Sequence, residues 1–85
     1  MVMNVVQVHT ADGFKSGLLV TVGRKYLSII FPDSAGIRIK RMPLSTQYRE
    51  LQYRDKPYPV GRAKRLIKAM GKSFGITKSA KRILK

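Results

Sequence analysis

Eighty-five residues with 18 Lys and Arg against 4 Asp and Glu carry a formal net charge of +14, which fits one small domain whose partner is polyanionic. A hydrophobic content of 44% is too high for a disordered chain. The lack of Cys excludes a disulfide framework, a thiolate metal site and a thiol nucleophile, and one His with four carboxylates leaves little for acid–base chemistry, so no enzymatic activity, metal or cofactor is expected.

Asn4 to Thr10 is rich in β-branched residues and ends at the turn signal Ala11-Asp12-Gly13. Ser16 to Val22 follows and stops at Gly23-Arg24, where glycine suits the positive φ of a tight hairpin. Lys25 to Phe31 runs into the loop Pro32-Asp33-Ser34-Ala35-Gly36. Gly36 to Met42 alternates, with Ile37, Ile39 and Met42 read to one face and Arg38, Lys40 and Arg41 to the other. Four strands joined by short turns predict an antiparallel meander, curled into a small barrel or strongly bent so that its edges are hidden. Gln47 to Arg54 is the candidate fifth strand, with Leu51 and Tyr53 inward; a short helix capped by Ser45 is the other reading, and the strand is preferred.

The prolines of Lys56-Pro57-Tyr58-Pro59 exclude regular structure there and predict a hinge over residues 56–59, dividing a sheet at 1–55 from a helical pair at 60–85. Ala63, Leu66, Ile67 and Met70 recur at helical spacing, and Gly71 is the expected stop. A second helix is expected from Thr77 as N-cap, with Ala80, Ile83 and Leu84 on its inner face. Both helices are too short to be stable alone and must dock on the sheet.

The stretch Phe74-Gly75-Ile76-Thr77-Lys78-Ser79 resembles the turn of DNA-binding helix-turn-helix families. That pattern usually has a small residue such as Ala four positions before the turn glycine, which here is Gly71, and a β-branched or aliphatic one six positions after it, where Lys81 departs. Val22-Gly23-Arg24-Lys25-Tyr26-Leu27-Ser28-Ile29 resembles a strand-turn-strand unit of small phage-encoded and SH3-like-barrel proteins. That likeness implies an SH3-like barrel associated with nucleic acid or with a protein partner, and implies no reaction. The expected fold class is therefore α+β: an antiparallel barrel or bent sheet of four to five strands, then two basic helices.

The charge is uneven. Residues 1–59 hold nine Lys and Arg against four acids, a balance of +5, whereas residues 60–85 hold nine cations and no acid. Such an excess is more than solubility asks of a small domain. Arg62, Lys64, Arg65, Lys68, Lys72, Lys78, Lys81, Arg82 and Lys85 are the candidate nucleic-acid-binding residues, with Arg38, Lys40 and Arg41 extending the patch or forming a polar outer face. DNA is preferred over RNA, because short rigid helices suit a groove or backbone rail. No Asn or Gln lies in 60–85, so the usual adenine readers are missing and binding is expected to be weakly specific or architectural. The alternative is a phage-type regulator that binds an acidic surface of a host protein. No stretch reaches the ~20 apolar residues of a membrane span, so no integral insertion is expected, and the N-terminus lacks signal-peptide order, which points to a cytoplasmic or nucleoid location. His9 is read as structural, and Tyr48, Tyr53 and Tyr58 as packing groups in preference to base-stacking ones.

Overall fold

The computed structural model describes residues 3–33 and 35–85; Ser34 of the expected Pro32–Gly36 loop lies outside them. Five strands, β1 (Asn4–Thr10), β2 (Gly13–Val22), β3 (Tyr26–Phe31), β4 (Arg38–Pro43) and β5 (Tyr48–Glu50), form an antiparallel sheet in the order β4-β3-β2-β1-β5. The first four are the expected meander. The chain then returns to the opposite edge, where Tyr48 and Glu50 pair with Val8 and Val6. The sheet is not closed, so the fold is α+β with a bent five-stranded sheet.

Each face of this sheet carries its own core. On one face Val5, Leu18, Val20 and Ile30 pack with Ile37 and with the helices through Ala63, Ile67, Ala80 and Leu84. On the other, Val6, Val8, Leu19, Leu27, Ile29 and Phe31 form a cluster to which no helix contributes, and still Val8 and Ile29 are 0% exposed. A flat sheet would leave these side chains in water, so the sheet must curl around them. Two features permit the curl. The β2–β3 register shifts between Leu19 and Thr21, a bulge that bends the strand. At Gly17 an added Cβ would lie 2.8 Å from Ile29 Cγ2 and 3.0 Å from the Ile30 carbonyl oxygen, so only glycine admits this approach.

Other expectations are corrected. Gly23 is absent from the positive-φ glycines; its N–H donates to the Tyr26 carbonyl at 2.9 Å, and the close approach of that carbonyl is what limits side-chain size there. In β4, regular pairing puts Met42 opposite Leu27 and Ile39 opposite Ile30, which belong to different cores. Met42 therefore shares a face with Arg38 and Lys40, while Arg41 lies with Ile39, because side chains alternate strictly along an unbulged strand.

The segment 56–59 is not purely a hinge. Gln52–Tyr53 (β6) and Lys56–Pro57 (β7) form a two-residue hairpin around Arg54 and Asp55, whose φ values of 53° and 63° are those of a type I′ turn. Pro57 is tolerated because it occupies a non-hydrogen-bonded position opposite Gln52, and the next donor, the Tyr58 N–H, reaches the Leu51 carbonyl at 2.9 Å. The expected single strand over 47–54 is thus split, Tyr48–Glu50 pairing with β1 and Gln52–Tyr53 with β7, and the half-buried Leu51 lies between the two.

Helix α1 (Val60–Phe74) passes through Gly71 and ends one turn later, at Gly75 with φ of 84°. The Gly75 N–H closes the last turn on the Gly71 carbonyl at 2.8 Å, and a φ of 84° with ψ of 158°, open essentially only to glycine, then turns the chain out of the helix. Gly71 has a packing role instead: Ile76 Cβ would lie 3.4 Å from its missing Cβ. Of the expected apolar stripe, Ala63 and Ile67 are buried and Met70 half-buried, but Leu66 is 52% exposed. Helix α2 (Lys78–Ile83) starts as expected, with Thr77 Oγ1 accepting from the Ala80 N–H at 3.3 Å. No helix among the described residues is long and apolar enough to cross a membrane.

Candidate nucleic-acid interface

The two helices are positioned by their connection. Ile76 forms a parallel bridge with Ile37: the Ile37 N–H donates to the Gly75 carbonyl at 2.9 Å and the Thr77 N–H donates to the Ile37 carbonyl at 3.1 Å. Ala80 and Leu84, each 0% exposed, then anchor α2, which packs against β4. The inner faces are thus consumed by the core, and the cations are forced outward.

Between the helices lies a cleft of about 460 Å³ whose floor is Gly71, Ile76 and Leu84 and whose walls are four lysines, Lys68 and Lys72 on α1, Lys81 on α2 and Lys85 just past its end. Among the described residues no Asp or Glu lines it. Lys81, the position that departs from the helix-turn-helix pattern, is exposed and faces this cleft, so the departure buries no charge.

The arrangement works against helix stability. Lys64, Lys68 and Lys72 are successive i, i+4 neighbours on α1, and Lys78 and Arg82 on α2, where like charges cost a few tenths of a kcal/mol per pair. Helix α1 begins at Pro59 without a side-chain cap and has no acid in its first turn. Its exposed N-terminal N–H groups add positive potential beside Arg62. Lys72 in its last turn is the one cation that the dipole favours.

The remaining candidates are dispersed. Arg65, Lys78 and Arg82 are exposed on the helices and Lys64 is half-buried, all four outside the cleft. Arg62 lies 5.2 Å from the ring centroid of Tyr53, which Arg54 approaches at the same distance. Arg38 stands beside the interhelical turn, in a shallow depression with Phe74 and Thr77. Lys40 lies over the Phe31 ring at 5.8 Å and lines a separate cleft of about 610 Å³ with Lys15, Asp12 and Asp33. The Asp33 carboxyl is held below its ordinary range by the Ala35 N–H, 3.0 Å away, helped by Lys40, Lys15 and Arg38. Arg41 is on the opposite face, so the Arg38–Lys40–Arg41 trio is not one patch.

One cluster was not foreseen. His9 and Phe14 stack at 5.0 Å, the Arg49 guanidinium lies 5.1 Å from the Phe14 centroid, and Arg49 Nε donates to Gln7 Oε1 at 2.9 Å. The pairing of β1 with β5 creates it, a contact 42 residues apart in sequence that no local pattern announces.

Comparison with protein-family models, curated proteins and solved structures gives no significant match.

Proposed function

We propose that this chain binds nucleic acid, duplex DNA in preference to RNA, through phosphate contacts of low sequence specificity. The observation that carries this reading is the convergence of Lys68, Lys72, Lys81 and Lys85 on one cleft that, among the described residues, no Asp or Glu lines. Four ammonium groups around an open cleft match a phosphate backbone, where each neutralised phosphate releases condensed counterions. Lysine acts there as a point charge without base preference, and the lack of Asn and Gln in residues 60–85 agrees with readout of backbone instead of sequence. Arg65, Lys78 and Arg82 on the outer helix surfaces and Arg38 beside the turn extend the footprint.

The test is fluorescence anisotropy on random duplex DNA across a salt series. Four phosphate contacts give a log–log slope near −3.6, so affinity falls by about 10²-fold between 50 and 200 mM salt. Absence of binding with micromolar protein at ~100 mM salt refutes the proposal. A single-stranded RNA of equal length, bound more tightly than the duplex, would overturn the preference for DNA.

A further inference from the structure

Helix α1 offers more apolar surface than the sheet covers. Leu66 stands 52% exposed at the mouth of a pocket of about 210 Å³ whose walls include Leu18, Pro32, Leu51, Tyr58 and Met70. Among the described residues its hydroxyls come from Ser16 and Tyr58, and no charged side chain lines it. A phosphate or ribose gains nothing in such a slot, since a polar group buried without a partner is penalised. One large apolar side chain gains most of its transfer free energy there.

The surroundings of the pocket set the chemistry of the occupant. Tyr58, a wall, meets Tyr53 edge-on with centroids 5.6 Å apart and planes at 70°. Tyr53 in turn holds the guanidinium groups of Arg54 and Arg62, each 5.2 Å from its centroid. Arg62 is one helical turn before Leu66 on α1 and Arg65 immediately precedes it, in a helix without an acidic residue. Two carboxylates have hydrogen-bond partners of their own, Glu50 accepting from Gln52 Nε2 at 3.4 Å and Asp33 accepting from the Ala35 N–H and lining the cleft of Lys40, and a third, Asp55, follows Arg54 in the hairpin turn. The pocket is apolar, and Arg54 and Arg62 flank the Tyr53 ring beside it.

We infer that this pocket is the docking site for an acidic protein segment that inserts one large apolar side chain beneath Leu66 and lays its carboxylates against Arg54, Arg62 and Arg65. The apolar anchor gives selectivity, and the arginines give bidentate capture and steering. This site shares no lining residue with the four-lysine cleft, Arg65 alone belongs to the footprints of both, and the site stands whether or not the chain binds DNA.

The experiment uses two fluorescein-labelled twelve-residue peptides of Asp and Glu, one with a single central Trp and one with Ala in its place, titrated with the full chain at 100 mM salt. The Trp peptide is expected to bind at least about tenfold more tightly than the Ala peptide. Leu66→Gln, which keeps the net charge, should erase that preference while duplex affinity stays within about twofold. Arg62→Gln should weaken both peptides. Equal binding of the two peptides to the unmodified chain, or binding of neither, overturns the inference without recourse to any variant. A Leu66→Gln chain that melts like the original and still prefers Trp overturns it as well.

Discussion

Ile76, the central residue of the interhelical turn, is paired in parallel with Ile37 at the entry to β4, and the backbone of Ile37 bonds to residues on both sides of it. The bridge makes the helices an extension of the sheet. Ile37 is itself 0% exposed within the helix-side core. Two short basic helices that could not persist alone thereby acquire fixed places, and with them the backbone positions of the cleft lysines.

Ile37→Ala should destabilise the chain by about 2–5 kcal/mol, the cost of a buried Ile-to-Ala truncation. Helix and sheet should also be lost together. Urea denaturation followed by circular dichroism and by tyrosine fluorescence checks this: coincident transitions are expected, and a helix signal that melts first would show that the bridge does not couple the halves.

Lys68→Glu replaces two like-charge i, i+4 contacts, with Lys64 and Lys72, by opposite-charge ones. Stability should rise by about 0.5–1 kcal/mol. Duplex affinity should fall about tenfold or more at 100 mM salt, with a shallower salt dependence. Thermal melts and anisotropy on the same variant read both effects, and their opposite signs distinguish a functional lysine from a structural one.

Asp55→Gly should raise the melting temperature. Arg54 and Asp55 both hold left-handed φ values, which cost a residue with a Cβ up to about 1–2 kcal/mol and cost glycine nothing. Part of that relief is offset by glycine's freedom in the unfolded chain, leaving a net gain of up to about 1 kcal/mol by differential scanning calorimetry.

Gly17→Ala should cost about 1–3 kcal/mol by overpacking, because the new methyl meets Ile29 Cγ2 and the unyielding Ile30 carbonyl. Gly61→Ala is the control: a Cβ there meets nothing within 4 Å, and alanine favours a helix. Chemical denaturation should show the first falling and the second rising in stability.

The strands over residues 4–43 and the two helices were legible in the residue pattern, since alternation, turn residues and helical spacing are local. The Thr77 cap and the buried Ala80 and Leu84 were read correctly for the same reason. Leu66 was not: the stripe Ala63, Leu66, Ile67 and Met70 says which side of a helix is apolar, but the width that is covered depends on what the sheet presents to it. Pro57 was misread because its tolerance rests on its being a non-hydrogen-bonded partner of Gln52, a property of the pair and not of the proline. Arg41 parted from Lys40 by strict alternation along β4, which charge grouping obscured.

The acid-free +9 of residues 60–85 is a property of the sequence alone, and the proposal of a polyanionic partner rests on it. Which four of those nine cations share a cleft was decided only by tertiary structure. Burial of Ala80 and Leu84 fixes the rotation of α2, the Ile37–Ile76 bridge fixes its place, and Lys81 and Lys85 then face Lys68 and Lys72 because the core has taken every other direction.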